Sequence, residues 1–313
     1  MSFLGRLFSR HVEPATPDPG AGSAMDGVRS TTELARAGDP SAHAAELRIE
    51  AGLSTDPGCV REINEDSVRI IRPTTDDELA RRGLLAVVCD GMGGHEAGEI
   101  ASRLAVEAIV KRFEGDEGEP PPLLPRALQL ANRAIFEAAE RNLKLRGMGT
   151  TCTALLLRGG LAYAAHVGDS RLYLVRNDEI FLMTEDHSAV MELVRRGVIS
   201  REEARHHPDK NVISRALGSH REVEVASWPQ PFAVLPGDSF LLCSDGLYDL
   251  VTDDTILATV RGTHPQVACD RLVTLAREAG GHDNISVAIL TMVAHHQATS
   301  TGARETRAVE IPQ

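Results

Sequence analysis

The chain has 313 residues, 42% hydrophobic, 25% charged and only 4% aromatic, enough for one large domain with an aliphatic core. Lys and Arg number 33 against 45 Asp and Glu, a formal charge of −12; this argues against non-specific binding to nucleic acid or an anionic membrane, where basic residues supply the attraction. Five cysteines, Cys59, Cys89, Cys152, Cys243 and Cys269, none spaced C-x-x-C, exclude a zinc site or disulfide framework and predict a reduced, cytoplasmic protein.

Residues 1–45 are rich in Pro, Gly, Ala, Ser and Thr and carry no periodicity, which predicts a disordered or loosely attached leader. The start, M-S-F-L-G-R-L-F-S-R, lacks the long apolar region of a secretory signal, and no apolar run reaches the ~18 residues of a spanning helix. The folded body is expected over 46–294, followed by a flexible tail over 295–313.

The body opens with predicted strands at about 47–54, 66–72 and 84–90; the last is a continuous apolar run, Leu84 to Cys89, of the kind buried on both faces. Helical spacing follows at about 96–113 (Ile100, Leu104, Ala108) and 125–144 (Leu128, Ala131, Ile135, Ala139). Four short runs, 151–157, 161–167, 171–175 and 180–183, are separated by Gly160, Gly168 and Asn177-Asp178 and predict antiparallel hairpins. A charged, helix-prone stretch covers about 187–209. Strands are then expected at 212–216, 223–227 and 239–244, helices at 253–260 and 265–279, and a last strand at 284–293. Segregation of strands from helices predicts an α+β fold with two packed, mostly antiparallel sheets and helices outside.

The acids are placed unusually. Asp90, Asp245 and Asp283 each fall at an apolar strand boundary beside a turn former, in V-V-C-D-G-M-G-G, L-L-C-S-D-G-L and G-G-H-D-N-I-S. An Asp-Gly pair alone is an ordinary turn. Several carboxylates gathered together, however, stay ionised only beside a cation, and all-oxygen ligation selects hard divalent ions. Arg61-Glu62-Ile63-Asn64-Glu65-Asp66 adds acids and a guanidinium able to hold a phosphate bidentately.

Taken in order, R-E-I-N-E-D (61–66), D-G-M-G-G-H (90–95), G-M-G-T-T (147–151), H-V-G-D-S-R (166–171), D-H-S (186–188), S-D-G-L (244–247) and H-D-N-I-S (282–286) resemble the PPM family of protein phosphatase 2C-like enzymes, in its compact bacterial form. The resemblance implies a four-layer α-β-β-α sandwich and a metal-dependent serine/threonine phosphoprotein phosphatase that opposes bacterial kinases. It implies Mn²⁺ or Mg²⁺, two ions with a third in bacterial relatives, and a metal-bridged water as nucleophile. Asp90 would bridge two ions with the Gly91 carbonyl as a further ligand, and Asp245 and Asp283 would complete the first site. Glu65 and Asp66 would act through bound waters, Asp169 would hold the third ion with Asp245, and Arg61 would clamp the phosphate. Where some members carry a His two positions after the bridging aspartate, this chain has Met92, which cannot donate a proton; His95 follows three residues on, and the general acid stays unassigned.

Gly147 to Thr151 are expected to form a tight turn, Asn284 and Ser286 to fix the Asp283 loop, and His166 to be a satisfied core histidine. The charged segment from about Val190 to Leu217 corresponds to a flap beside the site. The implied partners are phosphorylated proteins and a serine/threonine kinase, with no nucleic acid or integral membrane segment, for a monomeric protein. A catalytically weak regulatory binding module is the alternative; it would be expected to lack some of the aspartates, and all are present.

Overall fold

The structure is a computed structural model that describes residues 47–93, 97–115 and 120–294; the predicted leader, the tail and His95 lie outside the described residues. Twelve strands are described: β1 Leu47–Asp56, β2 Asp66–Ile71, β3 Leu84–Met92, β4 Gly149–Thr150, β5 Cys152–Arg158, β6 Leu161–Val167, β7 Arg171–Arg176, β8 Glu179–Leu182, β9 Ala226–Ser227, β10 Phe232–Ala233, β11 Ser239–Cys243 and β12 Ile285–Ala294. The helices are α1 Asp76–Arg82, α2 Ala97–Gly115, α3 Pro120–Arg141, α4 Ala189–Arg195, α5 Arg201–Arg205, α6 Asp245–Tyr248, α7 Asp253–Val260 and α8 Pro265–Glu278.

Two antiparallel sheets result. One has the order β1-β12-β11-β7-β8; the other runs β10-β6-β5-β3-β2, with β4 on β3 and β9 on β6. Period-two alternation assigns each strand residue to a layer. Leu84, Ala86 and Val88 of β3 face Leu172, Leu174, Phe240, Leu242, Ala288 and Leu290 of the other sheet. The intervening Leu85, Val87 and Cys89 pack under Ala101, Ala105 and Ile109 of α2 and Leu128, Ala131 and Ile135 of α3. On the opposite side Tyr173, Leu241, Val287 and Ile289 pack against Ile256 of α7 and Ala268, Leu272 and Ala276 of α8. Three stacked apolar cores therefore make four layers, α-β-β-α. The unbroken apolar run in β3 reflects cover on both faces.

Some local expectations fail, each for a physical reason. Helix α3 begins at Pro120 rather than at 125, because Pro120, Pro121 and Pro122 bring pre-set φ angles to a first turn that needs no N–H donors. Helix α1 was not expected: it is seven residues long and buries none, so it has no apolar stripe to detect, and the Thr75 cap and acidic first turn hold it. The strand expected at 212–216 is replaced by two single bridges, Ser188 to Ile213 and Thr150 to Leu217, and that expected at 223–227 shortens to β9. The chain turns away at Gly218 (φ 86°), where a Cβ would stand 2.3 Å from Ile135.

Candidate metal centre

Strand parity aims the acids. Val68 and Val88 face the core between the sheets, so Asp66 and Asp90, each two residues further towards the same end, lie on that face where the sandwich opens. They are register partners. In the other sheet Cys243 pairs with Val287, so Ser244-Asp245 and Asp283-Asn284 leave their strands side by side. Ser244 Oγ donates to Asp66 Oδ2 at 2.8 Å and ties the two sheets together here. Asp169 occupies the β6–β7 turn beyond Gly168 (φ 103°), where a Cβ would meet Thr151 at 2.6 Å.

The loop carrying Arg61 and Glu65 hangs from Asn284. Its Nδ2 donates to the Pro57 and Ile63 carbonyls, each at 3.0 Å, and its Oδ1 accepts the Glu65 N–H at 2.7 Å. Arg61 Nη2 donates to Asp283 Oδ2 at 2.8 Å, while Asp283 Oδ1 accepts the Asn284 N–H at 2.8 Å. Behind Asp90, Thr151 Oγ1 accepts its N–H at 2.9 Å and Thr150 Oγ1 donates to its carbonyl at 2.8 Å. The Gly91 N–H donates to the Glu65 carbonyl at 3.2 Å. A Cβ on Gly91 would stand 2.2 Å from the Gly98 carbonyl oxygen, so the close approach of β3 to the start of α2 requires glycine.

Crowding shows in the proton affinities. Burial, then the fields of Asp66, Asp245, Asp169 and Asp283, push the Asp90 carboxyl well above the carboxylate range. Burial raises Asp66 to about 7, opposed by the Ser244 hydrogen bond. It raises Asp169 to about 8, with Asp245 adding to it, and Asp245 to about 6, with Asp283 adding to it. Glu65 is raised too, by burial, against the pull of Arg61. Carboxylates that feel one another this strongly must take up protons or cations.

The donor atoms fit a cation. Glu65 Oε1, Asp66 Oδ1 and Asp245 Oδ1 are buried without a hydrogen-bond partner, a costly state for an acceptor. An all-oxygen set suits Mg²⁺ or Mn²⁺. Among the described residues no group of three or more His, Cys, Asp or Glu side chains is already arranged to hold a metal ion, and Asp283 is drawn to Arg61.

Arg61, Glu65, Asp66, Asp90, Gly91, Asp169, Asp245 and Asp283 are thus gathered at one end of the sandwich. The Thr150 and Thr151 hydroxyls bracket the Asp90 backbone groups. Asn284 does more than its own loop requires, and Ser244 was not singled out; its only sequence signal was a place beside Asp245. His166 is not satisfied. It stacks on His187 at 4.6 Å with Nδ1 unpartnered, and burial lowers the pair to about 4 and about 3 respectively. Across residues 188–210, Ser188 and Ser200 cap α4 and α5, and Lys210 bonds Asp249 Oδ2 at 2.6 Å, just past α6.

Residues 64–278 match the sequence model of the family described as protein phosphatase 2C. The chain is 40% identical over 249 residues to serine/threonine protein phosphatase PstP of Mycobacterium tuberculosis, an alignment covering 79% of this chain and 46% of that one. The chain therefore spans about half the length of PstP. It is 38% identical over 250 residues to serine/threonine phosphatase stp of Listeria innocua, covering 77% and 95%. Among solved structures, PstP/Ppp of Mycobacterium tuberculosis superposes with a TM-score of 0.70 at 39% identity, over 80% of this chain and all of that one. The catalytic domain of PstP in complex with two manganese ions superposes with a TM-score of 0.67 at 37% identity, covering 79% and 99%.

Proposed function

The chain belongs to the protein phosphatase 2C family, and from that membership we propose that it hydrolyses phosphoserine and phosphothreonine monoesters on proteins in a metal-dependent reaction. The supporting observation is the convergence of six carboxyl groups, three with a buried oxygen that lacks a partner, beside an arginine. Asp90 with the Gly91 carbonyl, Asp245 and Asp283 would hold two Mn²⁺ or Mg²⁺ ions, Glu65 and Asp66 would contribute through water, and Asp169 with Asp245 would hold a third. When bound, such ions lower the pKa of water towards neutrality and offset charge on the phosphoryl oxygens.

The remaining work falls to the chain's own groups. The Arg61 guanidinium is half exposed, with one N–H on Asp283, and its planar fork matches two phosphoryl oxygens of an incoming phosphate. Holding Arg61 on Asp283 and hanging its loop from Asn284 limits the freedom lost on binding. Met92 carries no proton for the leaving oxygen, and no described side chain is assigned that role. No cysteine is needed, since water is the nucleophile. The catalytic domain is read as 46–294, acting as a monomer in the cytoplasm on phosphorylated proteins, opposite a serine/threonine kinase. Among the described residues no helix is long and apolar enough to cross a membrane.

Phosphate release from a phosphothreonine peptide, measured with Mn²⁺, with Mg²⁺ and with chelator, tests this reading. Release with metal and none with chelator is expected. Absence of release under every metal, from folded protein, would overturn it.

A further inference from the structure

A groove of about 240 Å³ opens beside the acidic cluster, between Met92 of β3 and the segment 213–224. It is tied to the metal loop from below: Arg215 Nη1 meets His187 Nε2 at 3.4 Å, and His187 Nδ1 accepts the Gly168 N–H at 3.1 Å, next to Asp169. Met92, Ile213, Ala216 and Val223 give it apolar walls. The charged residues along it are Arg215, Glu222 and Glu224. Arg215 is already committed, since its Nη2 stands 3.1 Å from Glu224 Oε2 and its Nη1 donates to the Glu224 carbonyl at 3.3 Å. These two charges cancel. Glu222 is exposed and has no ion pair among the described residues, so among the residues lining the groove it is the one carboxylate left unmatched; the exposed Arg221 beside it in the chain does not line the groove.

That combination matches one kind of side chain: a long alkyl stem ending in a cation. We propose that the groove receives a Lys or Arg flanking the phosphorylated residue of the substrate, with Glu222 as the specificity-determining residue. The inference rests on the phosphatase reading and deepens it. Distance agrees with a near neighbour in the peptide. Met92 lies two residues beyond Asp90 on a strand that rises ~3.3 Å per residue, so the groove begins roughly 7 Å from the cluster. An extended peptide covers that span in about two residues.

Phosphothreonine peptides carrying Arg, Ala or Glu at single positions within three residues of the phosphate test the proposal. The readout is the ratio of kcat/KM for the Arg peptide to that for the Glu peptide, within each of wild type, Glu222→Gln and Glu222→Lys. At low salt the wild-type ratio is expected to reach about two- to fivefold at one flanking position, as for an exposed ion pair, and to shrink at high salt. Glu222→Gln is expected to bring it near one and Glu222→Lys to invert it. A ratio near one at every position in active wild type, or one that both variants leave unchanged, overturns the inference alone. No metal-dependent release from any peptide by wild type overturns the phosphatase reading, and this inference with it.

Discussion

Asp66 and Asp90 stand directly opposite one another across β2 and β3, as register partners on the face between the two sheets. Like charges opposed on a strand pair destabilise a sheet. Three further aspartates raise the proton affinity of Asp90 beyond what Asp66 does. On the proposed function, an arrangement that costs stability by itself is accounted for by the cation it would attract.

That cost has a pH signature. Asp66 and Asp169 are raised to about 7 and about 8 from an ordinary 3.8, and Asp90 is raised well above it too. The folded chain then binds more protons than the unfolded one up to about pH 8, so metal-free stability falls as pH rises through those values. Buried neutral His166 and His187 act oppositely, but only below their unfolded value of 6.5. Between pH 6.5 and 8 the carboxyls act alone. Melting in chelator should therefore drop across this interval, and added Mn²⁺ should raise Tm more at pH 8 than at pH 6.5. A chelated Tm that rises across the interval contradicts this.

Asn284→Ala removes all three hydrogen bonds that suspend the Arg61–Glu65 loop. At about 0.5–1.5 kcal/mol each, unfolding in urea should show a loss of about 1.5–4.5 kcal/mol. The larger effect should be on turnover, roughly tenfold to a hundredfold, because Arg61 and Glu65 lose their registration with Asp283. Wild-type turnover from this variant would remove Asn284 from the account of the site.

Gly91→Ala places a Cβ 2.2 Å from the Gly98 carbonyl oxygen and 2.5 Å from that of Glu65. Both obstacles are backbone, so β3 or the start of α2 must move, at about 1–3 kcal/mol. The movement should also weaken Mn²⁺ binding, since it separates Asp90 from Glu65. Gly115→Ala, at a position with no described atom within 4 Å of the added Cβ, should leave both properties near wild type or slightly raise stability. Equal behaviour of the two variants in thermal melts and Mn²⁺ titrations would contradict the packing argument.

The layers were legible because apolar runs and turn residues are local signals. Leu84 to Cys89 needs only its own sequence to be read as a strand covered on both sides. The acids were legible because each sits where a strand meets a turn, and their ordered motifs carried the family resemblance. What could not be read is what depends on distant backbone. Asn284 meets partners 219 to 227 residues away, and its neighbours in sequence suggest only a loop. Helix α1 buries nothing and so has no periodic stripe. The segment 212–217 has strand-like composition, yet it pairs at single bridges with Ser188 and Thr150. It lines a groove instead of joining a sheet.

Calorimetric titration of Mn²⁺ at pH 7.5 into metal-free wild type, Asp90→Ala and Asp245→Ala tests the central claim most directly. Wild type should take up at least two ions per chain and release protons as it does so, because the raised carboxyls must ionise to bind; the heat should therefore change with the ionisation enthalpy of the buffer. Both variants, folded by circular dichroism, should lose ions and protons together. Folded wild type that takes up no Mn²⁺, or variants that bind as it does, would contradict the assignment of this acidic cluster as the metal centre.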